Sequence, residues 1–136
     1  MKTPILETSR LWLKPLKEED APGAFLWTGD PKVSWYMRYA TQGSLEDTKQ
    51  WLREEEKQLD SDLLYDFGFH YKDSDELIGC GGRTFNQQQG IWELGCNLRR
   101  VCWNEGYGNE AAAAILSFAE NTLHIHRVMA RHAKDN

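Results

Sequence analysis

The sequence predicts a mixed α+β fold in which an antiparallel meander of strands leads into one β-α-β unit. Residues 63–72, 77–85 and 91–99 have the composition of strands, and the polar turns between them are short enough for hairpins. An alanine-rich stretch over residues 106–123 has helical spacing, and a further strand is predicted at 127–133. Because a helix that connects neighbouring strands makes a parallel crossover, we expect a mixed sheet.

The first part of the chain predicts one strand and two helices. Residues 10–16 alternate as a strand does, and residues 17–28, whose start is rich in acids, follow as a helix that Asp30-Pro31 ends. Ser44 to Asp47 resembles a capping box that opens a second helix. The leucines that align along this helix are Leu45, Leu52 and Leu59.

Length and composition predict a single cytoplasmic domain over residues 1–136. The chain is long enough for one core, and its net charge of -5 argues against a nucleic-acid partner. No apolar run approaches the roughly 20 residues of a membrane helix, so we expect no membrane association. Cys80, Cys96 and Cys102 lack zinc-like spacing, and His124 and His126 lack a third ligand, so no metal is predicted.

Residues 103–111 predict a phosphate-binding junction between a loop and a helix. Amides of a first helical turn attract anions, and glycines such as Gly106 and Gly108 let a phosphate approach the backbone closely. The spacing of Gly106, Gly108 and Ala111 also fits the dinucleotide fingerprint. Polar and charged residues stand before these glycines where that fingerprint needs a buried strand, so we rank a dinucleotide-binding module last.

Short motifs on both sides of this junction carry a more specific signal. They are Glu7-Thr8-Ser9-Arg10-Leu11, Leu13, Pro15-Leu16, Leu77-Ile78-Gly79, Glu93-Leu94-Gly95-Cys96, Leu98, Trp103, Gly106-Tyr107-Gly108 and Glu110-Ala111. In type and order they resemble the GCN5-related N-acetyltransferase (GNAT) superfamily, in its RimJ/RimL-like branch. The resemblance implies a sheet with helices on both faces. It also implies transfer of an acetyl group from acetyl-CoA to a primary amine, on a protein N-terminus or a small molecule, by direct attack in a ternary complex.

The same resemblance implies where the donor binds. Backbone amides of the loop would hold the CoA pyrophosphate; the residues are Asn104, Glu105, Gly106, Tyr107, Gly108 and Asn109. Backbone groups of Leu98, Arg99 and Arg100 would pair with the pantetheine arm as though it were another strand. The two arginines either add positive charge near the phosphates or are solvated residues at a strand end.

For the chemistry, the resemblance places Glu93 beside the acetyl group as a general base, with an exposed strand carboxylate as the alternative. Asn97 is the candidate to polarise the thioester carbonyl. We assign no general acid. The acceptor pocket is expected between the first two helices, where Trp35, Tyr36 and Tyr39 either bind the acceptor or fasten the loop to the core.

In the resembling family another helix and a strand follow the last strand predicted here, and Asn136 stands where that helix would begin. We therefore expect a fold that is incomplete at its C-terminal end, completed by more chain or by a second copy in a homodimer. A non-catalytic remnant that binds acyl-CoA or forms dimers is the alternative to an active enzyme.

Overall fold

The computed structural model describes residues 3–34, 41–58, 64–86, 90–122 and 128–130. Within them, six strands form one sheet in the order in which they occur along the chain. These strands are β1 (Leu6–Glu7), β2 (Leu11–Pro15), β3 (Leu64–Tyr71), β4 (Leu77–Asn86), β5 (Ile91–Leu98) and β6 (Val128–Ala130). Neighbours pair antiparallel up to β5, and β5 pairs with β6 in parallel. The predicted meander and parallel crossover are confirmed.

Four α-helices occur in the described residues, and they cover both faces of the sheet. They are α1 (Ala21–Thr28), α2 (Pro31–Ser34), α3 (Leu45–Glu56) and α4 (Tyr107–Asn121). On one face, α4 encloses a core whose buried residues are Leu11, Leu13, Tyr65, Phe67, Phe69, Ile78, Cys102, Ala111, Ile115 and Phe118. On the other face, α1 and α3 enclose the buried residues Leu16, Ala21, Ala24, Trp27, Val33, Leu52, Leu77 and Cys80.

Local sequence signals explain where the first helices begin. The helix predicted over residues 17–28 starts as a 3₁₀ turn at Glu18–Asp20 and becomes α-helical at Ala21, because Pro22 needs no amide partner in the first turn. At α3 one half of the predicted capping box is confirmed, since the Ser44 hydroxyl accepts a hydrogen bond of 3.2 Å from the Asp47 amide. Leu59, the last of the aligned leucines, lies outside the described residues.

The sequence patterns did not predict the short elements α2 and β1. The predicted break at Asp30-Pro31 contains the one-turn helix α2, because proline suits a first helical position and the Asp30 carboxylate accepts a hydrogen bond of 2.9 Å from the Lys32 amide. Strand β1 has two residues, too few for an alternating pattern. Of the strand predicted over 127–133, the described part is Val128–Ala130.

The core beside α4 contains a buried charge. Arg83 has 0% of its surface exposed, and its guanidinium carbon lies 5.6 Å from the centroid of the Trp92 ring. Among the described residues, none accepts a hydrogen bond from its Nε, Nη1 or Nη2. This desolvation lowers the pKa of Arg83, because the charged form has lost its water.

Candidate functional site

The parallel pair β5–β6 covers only the first half of β5. Pairing joins Trp92 to Val128, Glu93 to Met129 and Leu94 to Ala130. From Gly95 to Leu98, β5 stays paired with β4 on its other side but has no partner strand on the β6 side within the described part of the chain. Among the described residues, this side of the segment has no strand partner, and an extended, amide-bearing ligand can add to such an edge as a strand.

A tight loop joins this open edge to α4. The Arg99 amide donates to the Ile78 carbonyl at 2.8 Å, and the Trp103 indole donates to the Leu98 carbonyl at 3.0 Å, so both ends of the turn are tied to the sheet. Asn104 and Gly106 then adopt left-handed backbone angles, with φ of 66° and 81°. Gly106 is the N-cap residue of α4. A glycine suits this position because a Cβ would be strained there.

The amides of residues 104–109 are available to a ligand. The first backbone bond of the helix runs from the Glu110 amide to the Gly106 carbonyl, at 3.1 Å. Over the described ranges, no acceptor forms a hydrogen bond of good geometry with the amides of residues 104–109. These donors stand at the positive end of a 15-residue helix, an arrangement that attracts phosphate. Phosphate binding at this junction stays a prediction, and the arrangement of the donors supports it.

Arg10, in the turn between β1 and β2, fastens this loop to the sheet. Its Nε and its own backbone amide donate to the two carboxylate oxygens of Glu110, at 2.8 and 2.9 Å. Its Nη1 donates to the Glu105 carbonyl at 3.0 Å, and its guanidinium carbon lies 4.1 Å from the centroid of the Tyr107 ring. One side chain thus contacts the loop and both ends of the first helical turn.

The contacts to Glu110 also determine the charge of its carboxylate at the start of α4. Burial pushes the pKa of Glu110 upward, but the hydrogen bonds from Thr8 and Arg10 outweigh it and lower the pKa. The carboxylate is therefore ionised and paired, so its charge opposes an incoming phosphate less than an unpaired acid would. Sequence reasoning missed this role of Thr8 and Arg10. The sequence features that could have indicated this pairing are an arginine in the Thr8-Ser9-Arg10 motif and an acid in the first turn of the helix.

Arg99 and Arg100, which the sequence placed near the phosphates, both contact carboxylates. Arg99 forms an ion pair with Glu76. Arg100 pairs with Asp30 at 3.1 Å, and its side chain is 55% exposed. The carbonyls of both residues accept hydrogen bonds within the loop, from the amides of Cys102 and Trp103. Within the described ranges, the backbone without a strand partner therefore lies mainly upstream, over Gly95 to Leu98.

Glu93, in the part of β5 that pairs with β6, and Asn97, in the part beyond that pairing, share one face of the strand. The alternate residues Trp92, Leu94, Cys96 and Leu98 pack against the core beside α4, so Glu93, Gly95 and Asn97 lie on the opposite face. Asn97 donates weakly from Nδ2 to the Cys80 sulfur at 3.9 Å. Its Oδ1 is shielded from solvent, and no described residue donates to it. Glu93 is half-buried and stands opposite Thr84 of β4.

A pair of acids that sequence reasoning missed lies on the same face. Asp66 of β3 pairs with Gly82 of β4, which pairs in turn with Gly95, so Asp66 is level with the open edge. Burial and the nearby Glu55 carboxyl raise the pKa of Asp66 well above its usual range. Burial likewise raises the pKa of Glu55, which accepts a hydrogen bond of 3.0 Å from the Trp51 indole. The sequence feature that could have indicated this pair is an aspartate inside a strand, 64–71, whose other residues are mostly apolar or aromatic.

The remaining predictions concern acceptor residues, thiols and metal. Trp35, Tyr36 and Tyr39 lie outside the described residues. The three cysteines are free thiols, and burial raises the pKa of Cys80 well above its ordinary value, so it is no nucleophile at neutral pH. Among the described residues, no group of three His, Cys, Asp or Glu side chains could hold a metal ion. In the same part of the chain, every helix is too short or too polar to cross a bilayer.

In the described part of the chain, a strand segment without a partner on one side leads to helix-start amides that have no acceptor, an arrangement that suits an extended ligand with a phosphate group. Comparison with known proteins identifies the family. Residues 10–136 match the family model described as the acetyltransferase (GNAT) domain, and the chain belongs to that family. It is an N-acetyltransferase, as the sequence motifs predicted, and the predicted fold class is confirmed.

Three relatives illustrate the assignment. The uncharacterized N-acetyltransferase p20 of Bacillus licheniformis is 28% identical over 96% of this chain and 74% of its own length. The crystal structure of a GNAT-family acetyltransferase from Bacillus anthracis has a TM-score of 0.82 and 21% identity, over 98% of this chain and 76% of that one. RimL, the ribosomal L7/L12 alpha-N-protein acetyltransferase solved in complex with coenzyme A, has a TM-score of 0.82 and 14% identity, over 98% and 77%. The structural neighbours support the fold.

Proposed function

We propose that residues 1–136 act as one N-acetyltransferase domain that takes its acetyl group from acetyl-CoA and passes it to a primary amine. The observation that supports this proposal is that two features adjoin among the described residues: the segment of β5 without a strand partner on the β6 side, Gly95 to Leu98, and the amides of residues 104–109, which have no acceptor there. The pantetheine arm of CoA bears amides, and its diphosphate is anionic, so the two halves of the molecule match the two halves of the site.

In this proposal the diphosphate accepts hydrogen bonds from the loop. The donors are the backbone amides of Asn104, Glu105, Gly106, Tyr107, Gly108 and Asn109. The pantetheine arm lies along β5 and reaches Leu98, Arg99 and Arg100 where the loop begins. The left-handed angles of Asn104 and Gly106 support this arrangement, because alternating backbone handedness turns successive amides toward one anion.

The acetyl group then lies beside Glu93 and Asn97, on the face that α1 and α3 cover. An alkylammonium acceptor has a pKa near ~10, so it must lose a proton before its nitrogen can attack. Glu93 accepts that proton, directly or through water. The amine nitrogen bonds to the thioester carbon while the Asn97 amide polarises the carbonyl oxygen. The carbon–sulfur bond then breaks, and the second proton of the nitrogen passes to the departing thiolate, directly or through water, so that the products are the amide and the CoA thiol.

The acceptor enters from the face that carries Glu93 and Asp66. Carboxyl groups on this face favour a cationic amine over an anionic one. Trp35, Tyr36 and Tyr39 are proposed to line the entrance. RimL, to which the fold is similar, acetylates an alpha-amino group of a ribosomal protein, so a peptide N-terminus is one acceptor to test beside small amines.

A matched pair of glycine variants tests the donor site. Gly106 and Gly90 both have left-handed backbone angles, with φ of 81° and 67°, but only Gly106 lies in the loop at α4. Both alanine variants should lose similar stability, while only Gly106→Ala should lose acetyl-CoA affinity in calorimetry. Failure of the unaltered protein to bind acetyl-CoA, or to release CoA with a broad panel of amines and peptides, would refute the proposal. Binding without turnover would point to the non-catalytic alternative.

A further inference from the structure

The Trp103 side chain lies between the end of β5 and the loop at α4. Its indole Nε1 donates to the Leu98 carbonyl at 3.0 Å, across the 3₁₀ turn Arg100–Cys102. Its ring packs against the core that α1 and α3 enclose, whereas the preceding residue, Cys102, is buried in the core beside α4. The two cores therefore hold this turn from opposite faces of the sheet and fix the place of the indole.

The Leu98 carbonyl faces the side of β5 that has no strand partner there among the described residues. The Arg99 amide donates to the Ile78 carbonyl of β4 at 2.8 Å, so the backbone groups of Arg99 face β4. In an antiparallel pair, successive residues direct their amide and carbonyl groups to opposite sides of the strand. The backbone groups of Leu98 and Cys96 therefore face away from β4, toward the side on which β6 pairs with the first half of the strand.

Trp103 thus occupies one of the backbone groups to which a strand-like ligand would bind. Cys96 and Leu98 each direct one amide and one carbonyl to this side, and the indole bonds to the Leu98 carbonyl. A ligand that adds here as a strand can use both amides and the Cys96 carbonyl, but at the Leu98 carbonyl it competes with the indole. The indole therefore limits how far pairing with β5 extends toward the loop.

We propose that Trp103 is a positioning residue that sets the register of the pantetheine arm on β5, and with it the distance of the acetyl group from Glu93. This inference rests on the proposed function. The loop amides hold the arm at its diphosphate end, and the indole keeps the arm from bonding to the Leu98 carbonyl. Without the indole, that carbonyl is a free acceptor, and an arm that bonds to it draws the thioester back toward the loop.

Trp103→Phe tests the inference, because it keeps an aromatic ring and removes the indole donor. With acetyl-CoA as the donor, we expect kcat to fall about tenfold, since a displacement of about 1 Å can slow a reaction by up to about 10²-fold. The Kd of acetyl-CoA in calorimetry should stay within about twofold, because the arm exchanges one hydrogen bond for another. Weaker binding with an unaltered kcat would overturn the inference, since that result indicates only a loosened loop.

Donors with a longer arm separate a shifted register from a general loss of structure. An acetyl-CoA analogue with one more methylene in its cysteamine unit places the thioester up to about 1.5 Å farther along the strand, the length of one carbon–carbon bond. In the unaltered protein this analogue should be a poorer donor than acetyl-CoA. In Trp103→Phe the ratio of the two kcat values should move toward one. An unchanged ratio would overturn the inference, because a structural defect slows both donors alike.

Trp12→Phe is the matched control, because Trp12 is also partly buried but lies on β2, three strands away from β5. It should change neither kcat nor the ratio. If Trp103→Phe folds poorly, Trp103→benzothienylalanine replaces the indole N–H by sulfur in a ring of the same shape, and an unaltered kcat in that variant would overturn the inference.

The unaltered protein separates failure of the inference from failure of the proposed function. If it binds acetyl-CoA and transfers the acetyl group, and Trp103→Phe behaves in the same way with both donors, only the inference fails. If the unaltered protein does not bind acetyl-CoA, the proposed function fails together with the inference.

Discussion

Arg10 and Glu110 are 100 residues apart in the sequence, yet the guanidinium Nε of one donates to the carboxylate of the other at 2.8 Å. A second bond of 2.9 Å joins the Arg10 backbone amide to the same carboxylate. The pair connects the first turn of the sheet to the first turn of α4. The orientation of the helix start, and of the amides that we assign to the diphosphate, therefore depends on the β1–β2 turn.

The first prediction concerns this pair. Arg10→Met should raise the KM for acetyl-CoA about tenfold and leave kcat nearly unchanged, because it loosens the loop at α4 while the acetyl group stays near Glu93. Steady-state kinetics with varied acetyl-CoA would measure the change. Glu110→Gln should have a smaller effect of the same kind, and the double variant should lose less than the sum of the two. A fall in kcat with an unaltered KM would contradict the positioning role.

The second prediction concerns Glu93. Glu93→Gln should lower turnover at neutral pH by about 10²-fold, the usual contribution of a general base. The loss should shrink as the pH approaches the pKa of the acceptor amine, because an amine that is already neutral needs no base. Turnover measured from pH 6 to pH 10 would test this. Glu120→Gln, which alters an exposed acid on α4, is the control. An unchanged pH profile in Glu93→Gln would remove Glu93 as the base.

The third prediction concerns Asp66, whose pKa is raised in the folded protein by burial and by Glu55. A raised folded pKa means that stability is highest below the unfolded pKa, near ~4, and declines as the pH rises toward the folded value. Asp66→Asn should therefore be more stable than the unaltered protein at pH 7, by roughly 1 to 3 kcal/mol, and the difference should vanish near pH 4. Urea unfolding at several pH values measures it. The exposed Asp73→Asn should show no such trend; an identical trend would refute the assignment.

The fourth prediction concerns Arg83, which is buried and contacts no hydrogen-bond acceptor among the described residues. Arg83→Met keeps an unbranched side chain and removes the desolvated charge, so the free energy of unfolding should rise by about 1 to 4 kcal/mol. Thermal and urea unfolding of the 136-residue chain test the sign. Arg53→Met should act in the opposite direction by less than about 1 kcal/mol, because Arg53 is exposed and pairs with Glu18 and Glu46. A destabilised Arg83→Met would show that the charge has a compensating partner.

Periodicity in the sequence predicted the long elements because each repeats a pattern over several turns or pleats. Strands β3, β4 and β5 and helix α4 all lie within a few residues of their predicted bounds. The glycine pattern likewise predicted the loop. A left-handed backbone angle such as that of Gly106 depends on a single residue, and glycine adopts it without steric cost. Elements of two to four residues, such as β1 and α2, are too short to show a periodic pattern, so the sequence did not predict them.

Contacts between distant segments could not be predicted in the same way. The bond from Arg10 to Glu110 depends on how α4 crosses the sheet, and the proximity of Asp66 to Glu55 depends on where α3 packs. Neither contact produces a pattern in the spacing of residues along the sequence. The pairing of Arg99 with Glu76 and of Arg100 with Asp30 is of the same kind, so sequence alone left two alternatives for those arginines.

The two long helices on opposite faces of the sheet begin differently. At α3, the Ser44 hydroxyl caps the first turn, whereas at α4 the N-cap residue is Gly106, which has no side chain to do so. In solution without its partner molecule, the beginning of α4 should therefore fray, with fast hydrogen exchange at Tyr107, Gly108 and Asn109. A bound diphosphate would act as the missing cap, so that the donor completes the helix that holds it.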